Sequence, residues 1–192
     1  MKKSLLYLFG FIILISQSSC GYNQMVTLDE QVGSSWAQVQ NAYQRRADLI
    51  PNLVNTVKGA ANFEKETLTA VIEARAKATS MQISPENLTP ENIERFQQAQ
   101  GQLSGALSRL MVTVEQYPEL KANQNFLELQ SQLEGTENRI SVERRNFNTA
   151  VQQYNSYIRA FPRNLYAGWF DFERKGYFEA DAGAQNAPTV QF

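Results

Sequence analysis

Apolar residues recur at helical spacing along most of the chain. Met25, Leu28, Val32, Trp36, Val39, Tyr43, Ile50, Leu53 and Val57 advance by three, four or seven residues, which places them on one stripe of a long amphipathic helix. Pro51 lies inside this pattern; it removes one backbone donor and predicts a kink or a division near Ile50. Gly59 ends the segment, and Phe63, Leu68, Val71, Ile72, Ala74 and Ala78 predict a second helix from about Asn62 to Thr79. Ser84-Pro85 and Thr89-Pro90 mark a linker in which Thr89 can cap a third helix, with Pro90 and Glu91 in its first turn. That helix carries Ile93, Phe96, Leu103, Leu107, Leu110, Val114 and Tyr117, and Pro118 separates it from a fourth. In the fourth, Phe126, Leu129, Leu133, Ile140, Phe147, Val151, Tyr154 and Ile158 hold a heptad seam until Phe161-Pro162 stops it. Four such patterns without alternating strands predict an all-α fold, an antiparallel up-and-down four-helix bundle with long helices over residues 25–161. Unequal helix lengths, and polar Thr136 and Arg144 near the seam, argue against an uninterrupted coiled-coil dimer.

The two ends differ from the body. Lys2 and Lys3 precede an eleven-residue apolar run, Leu5 to Ile15, which has the pattern of a secretory signal segment. As a helix this run spans roughly 17 Å, about half of the ~30 Å hydrocarbon layer. Ser16-Gln17-Ser18-Ser19-Cys20 then resembles a bacterial lipobox, with Gln17 where an aliphatic residue is usual. Three readings stay open: cleavage with lipidation of Cys20, an uncleaved short anchor, or a cysteine that falls there by chance. The expected division is a lipoprotein-type signal peptide over 1–19, a tether over 20–24, the bundle, and an aromatic flap and tail over 162–192. The first two readings attach the chain to a membrane, with its body periplasmic or extracellular. Beyond Phe161, a dense set of aromatics is either an irregular flap closing one end of the bundle or an exposed surface for lipid or a partner. Trp169, Phe170, Phe172, Tyr177 and Phe178 are the candidates for such a surface.

Charge and composition remove function classes. Eighteen basic against nineteen acidic residues in 192 leave a net charge of −1 without a basic run, so no nucleic-acid partner is expected. Histidine is absent and Cys20 is the one cysteine, which excludes Ser-His-Asp and Cys-His relays, HExxH zinc sites and an internal disulfide. No metal site, cofactor or catalytic residue is expected. Glu64, Glu66, Glu73, Glu115 and Glu119 are the carboxylates from which an acid and base pair would have to come, and nothing in their pattern sets two of them apart. Gly101 and Gly105 form a Gly-x-x-x-Gly spacing that suggests a close helix approach or local flexibility. Arg45, Arg46, Asp48 and Asn52 fall within two helical turns. They form either a surface that grips a carboxylate or a structural network paired with Glu115, Glu119 or Glu137.

Longer strings carry a resemblance. Tyr43-Gln44-Arg45-Arg46-Ala47-Asp48-Leu49-Ile50-Pro51-Asn52-Leu53-Val54, Glu64-Lys65-Glu66-Thr67-Leu68, Glu73-Ala74-Arg75, Glu115 to Asn123, Thr136 to Ile140 and Tyr154-Asn155 are similar to the LemA family, as are Tyr177-Phe178-Glu179 and Ala187-Pro188 with Val190 and Phe192. Departures are Ala61 and Phe63, where relatives often carry an aromatic and a histidine, and Asp171, where they often carry glycine between two phenylalanines. The resemblance implies an N-terminally anchored bacterial envelope protein built as a four-helix bundle, with no established enzymatic activity. It implies a scaffold or adaptor whose partner is a membrane metalloprotease or a neighbouring envelope protein. An envelope hydrolase using paired glutamates, or a carrier of an apolar ligand within the bundle, are the alternatives.

Overall fold

The computed structural model describes residues 2–59 and 63–179, with side chains from Gly21 onward except that of Tyr166. The acylation expected at Cys20 and the tail from Ala182 to Phe192 lie outside the described residues. The described chain is all-helical: α1 (Lys2–Lys58), α2 (Lys65–Ser80), a 3-10 turn (Pro85–Asn87), α3 (Pro90–Val114), α4 (Pro118–Lys121), α5 (Gln124–Arg159), α6 (Asn164–Ala167) and a second 3-10 turn (Gly168–Phe170). Among the described residues, no helix is long and apolar enough to cross a membrane.

Pro51 does not divide α1. The helix runs unbroken past it, so of the kink or division expected near Ile50 the division does not occur. A proline at position 51 cannot donate to the carbonyl of Ala47, one turn earlier. That carbonyl instead accepts a 2.8 Å hydrogen bond from Nε of Arg75 on α2. The neighbouring helix thus supplies the donor that the proline withholds, in line with the need to pair buried backbone groups.

Two compact units share the helices. The first takes α1 through Arg46, Ser84–Glu86 and Gln132–Lys175. Trp36 meets Phe147 at 5.4 Å between ring centroids, and Arg46 meets Glu137. Moving forward along α1 therefore moves backward along α5, so these segments run in opposite directions. Lys175 ties three parts of this unit together. Its backbone N–H and carbonyl pair with the side-chain amide of Asn155 at 3.0 and 2.9 Å, and its ammonium lies 3.2 Å from both Asp29 Oδ1 and the Pro85 carbonyl.

The second unit takes Ala47–Ile83, Asn87–Ser131 and the described residues from Gly176. Phe63 packs on Tyr117 at 4.9 Å, and Gln100 Nε2 donates to the Ala78 carbonyl at 3.2 Å, so α2 and α3 also run in opposite directions. Thr89 caps α3 as its sequence predicts, accepting from the Asn92 N–H at 3.3 Å. Gly176 donates to the Leu88 carbonyl at 2.8 Å, and Gln97 pairs with both backbone groups of Glu179 at 3.1 Å. Backbone outside the helices is satisfied here by side-chain amides, as at Lys175. Gly101 and Gly105 face open space, so their spacing does not serve a close helix approach.

Candidate functional site

One concave feature of the first unit is a groove of about 570 Å³ lined by Gln38, Asn41, Ala42 and Arg45 of α1 and by Gln132, Gly135, Thr136 and Arg139 of α5. Each helix contributes positions i, i+3, i+4 and i+7, the four residues that form a hole for an inserted side chain in helix packing. The chemistry of the lining is one-sided: amides, a hydroxyl and two guanidinium groups, with no carboxylate. Arg139 is tethered, its Nε lying 2.7 Å from Glu143 Oε1. Thr136 turns its hydroxyl inward to the Leu133 carbonyl at 2.7 Å, and Gly135 leaves backbone within reach because no side chain stands over it. Two forked cations flanked by amides suit carboxylates presented on a polypeptide.

Beneath Arg45, Arg46 is 1% exposed, and its Nη1 lies 2.5 Å from Oε1 of Glu137, a residue 47% exposed. The guanidinium also sits 5.1 Å from the Tyr43 ring centroid. Of the three carboxylates expected to pair with this cluster, Glu137 is the one that does so through Arg46, while Glu115 pairs with Lys121. Arg45 points to the groove, and Asp48 and Asn52, both exposed, belong to the second unit. The four-residue cluster is therefore split into a buried ion pair, a groove residue and two surface polar residues.

The other glutamates do not converge. Glu64 accepts from the Thr67 hydroxyl at 3.3 Å, Glu66, Glu73 and Glu119 are exposed, and no group of potential metal ligands forms among the described residues. Among the described residues, Tyr154 and Glu86 are perturbed, and neither lines the groove. Burial pushes the Tyr154 phenol well above the usual tyrosine range, aided by Asp29 and Glu173. A hydrogen bond from Ser84 holds the exposed Glu86 carboxyl below its usual range.

The expected aromatic surface also separates. Trp169 is 83% exposed and Phe170 53%, with Phe170 edge-on to Tyr22 of α1 at 5.0 Å and Phe172 edge-on to it at 5.8 Å. Tyr177 is exposed, whereas Phe178 is 4% exposed and meets Phe96 at 6.3 Å. Phe178 is a core residue, which corrects its place in the candidate surface.

A sequence model of the LemA family matches residues 35–192, most of the chain. The chain belongs to the LemA family. Protein LemA of Metamycoplasma hominis is 25% identical over 158 residues, covering 82% of this chain and 68% of that protein. Magnetosome protein MamQ 2 of Paramagnetospirillum magneticum is 26% identical, covering 88% of this chain and 68% of its own length. Magnetosome protein MamQ of Magnetospirillum gryphiswaldense is 27% identical, covering 98% and 75%.

The LemA match takes in both walls of the groove, the Arg46–Glu137 pair and the exposed aromatics, and begins after Tyr22. Asp171 of this LemA-family chain has φ 58°, the left-handed conformation that glycine adopts without strain. That geometry accounts for the glycine that relatives often carry there. Gln38, Asn41, Gln132 and Arg139 were not singled out by the sequence. Their signal was positional: Gln38, Gln132 and Arg139 immediately precede the stripe residues Val39, Leu133 and Ile140, and Asn41 lies midway between Val39 and Tyr43.

Proposed function

We propose that this chain is a membrane-attached envelope protein, acylated at Cys20, that acts as a helical scaffold or adaptor through protein contacts and catalyses no reaction. Its helices form an antiparallel up-and-down four-helix bundle with the body on the periplasmic or outer side. The oppositely directed helix pairs within each unit support the bundle, and the leading apolar run with its lipobox-like ending supports the attachment. The relatives named magnetosome proteins support a role at a membrane.

The observation that carries the adaptor reading is the groove. Its paired i, i+3, i+4, i+7 walls, with Arg45 and the Glu143-tethered Arg139 and no carboxylate in the lining, fit an acidic helical segment of a neighbouring envelope protein or membrane metalloprotease. The test is complementation of a deletion strain. Arg45→Glu together with Arg139→Glu should abolish function while expression, helicity and membrane fractionation persist. Alanine at Glu64, Glu73, Glu115 or Glu119 should leave function intact. Loss with one of those alanines, and tolerance of the double charge reversal, would favour a hydrolase.

A further inference from the structure

The first unit carries a cluster in sequence of exposed apolar side chains that its own core does not use. Phe161 is 78% exposed, Leu165 60% and Trp169 83%; they lie in the turn after α5, in α6 and in the second 3-10 turn respectively. Phe170 continues the cluster and rests on Tyr22, itself exposed, near the start of the described side chains of α1.

The position of Tyr22 decides what covers this cluster. It stands seven residues beyond Ile15, the end of the apolar run, on the unbroken helix α1. Seven helical residues advance the chain by about 10 Å, so Tyr22 emerges close to the headgroup level of any bilayer that takes up the run. If cleavage occurs instead, Tyr22 is two residues from the acylated Cys20 and lies at the same level. Amphipathic aromatics are favoured at this depth, where a ring is half in hydrocarbon and its polar edge remains wet. Two cations stand close by in sequence: Arg159 is exposed, and Arg163 stacks 3.9 Å over the Tyr157 ring. Both suit lipid phosphate.

We infer that Phe161, Leu165, Trp169 and Phe170, set against Tyr22, form a second membrane contact that lays the first unit on the lipid surface holding its N-terminus. The inference rests on the membrane attachment proposed above. It would fix the orientation of the body instead of leaving it to swing on a tether.

Trp169 reports on this directly, because the other tryptophan, Trp36, is fully buried. Full-length protein is reconstituted into vesicles of equal phosphatidylcholine and phosphatidylglycerol, with bromines placed on the acyl chains near the carbonyls. The emission of Trp169 is read as the difference between the wild type and Trp169→Phe. The expected result is flotation with the vesicles, a blue-shifted difference spectrum, and its quenching by the bromines. Phe161→Ser with Leu165→Ser should reduce that quenching without reducing flotation. A floating protein whose Trp169 emits as in water overturns the contact and leaves the attachment standing. Blue-shifted emission that the bromines do not quench puts protein, a second copy included, over the cluster and also overturns it. Failure to float at all removes the attachment and the contact together.

Discussion

Replacing Arg75 with alanine should destabilise the protein through a bond that belongs, in effect, to Pro51. The Ala47 carbonyl, in a residue only 2% exposed, has lost its helical donor to the proline and takes the Arg75 Nε–H at 2.8 Å instead. A hydrogen bond involving a charged group contributes about 1.5–3 kcal/mol, and stranding a buried carbonyl costs about 1–3 kcal/mol, so Arg75→Ala should cost about 2 kcal/mol. For a chain of this size that lowers Tm by roughly 4–8 °C. The dependence on Pro51 is the sharper claim. In a Pro51→Ala background, residue 51 regains an N–H that can reach the Ala47 carbonyl, so the same Arg75→Ala change should cost less than about 1 kcal/mol. A double-mutant cycle by urea unfolding in detergent, followed by circular dichroism, should therefore give a coupling of about 1 kcal/mol or more. Equal costs in the two backgrounds would refute the reasoning and assign Arg75 a role unconnected with the proline.

Gly176→Ala should cost about 1–3 kcal/mol, since a Cβ there would lie 2.7 Å from Pro90 Cα, 2.9 Å from its nitrogen and 3.0 Å from the Thr89 carbonyl oxygen, all backbone atoms; an unchanged melting temperature would contradict this. Asp171→Gly should raise stability by up to ~1 kcal/mol by relieving a left-handed residue, and a fall would point to a contact made by the carboxylate. Arg46→Met should be neutral or mildly stabilising, because an apolar side chain of similar length fits a fully buried site, whereas Glu137→Ala should cost about 1–3 kcal/mol, reduced from the fully buried case by the exposure of the glutamate. If Arg46→Met proves as costly as Glu137→Ala, the pair holds the fold together. For Tyr154, the sign follows from a raised folded-state pKa: its contribution is fully present below the ordinary tyrosine value near ~10 and is lost as pH rises from there through the folded value. Stability measured across that alkaline window should therefore fall more steeply for the wild type than for Tyr154→Phe.

What was legible in the sequence was the periodic part, and it was legible beyond its apolar members. Wherever the apolar pattern advances by seven instead of three or four, the turn left out still faces the same side of the helix, because two turns of 3.6 residues return to one stripe. The residue at the skipped step has to be buried whatever its chemistry. Between Tyr43 and Ile50 that residue is Arg46; between Phe96 and Leu103 it is Gln100; between Leu133 and Ile140 it is Thr136; between Ile140 and Phe147 it is Glu143. All four are buried. Each carries a hydrogen bond or ion pair, to Glu137, the Ala78 carbonyl, the Leu133 carbonyl and Arg139 respectively. The gaps in the pattern were the polar interior, and the Arg46–Glu137 pair is one gap on α1 answered by a residue inside a gap on α5.

Nothing of this kind was available past Phe161. There the chain leaves regular helix, so burial is set by contacts between residues distant in sequence, and a run of aromatics cannot be sorted by spacing. Phe178 goes inside because Gln97 fixes the backbone of Glu179 beside it and Phe96 offers a ring. Trp169 stays outside because the segment around it is held by Tyr22 through Phe170 and Phe172, leaving its own ring without a wall to pack on. Asn155 shows the same limit within a helix. It is buried outside any gap, next to Tyr154, because Lys175 lies across α5 there and needs both a donor and an acceptor. Periodicity encodes which face of a helix is covered; what covers the end of a helix has to be written in pairs such as Asn155 with Lys175 and Gln97 with Glu179.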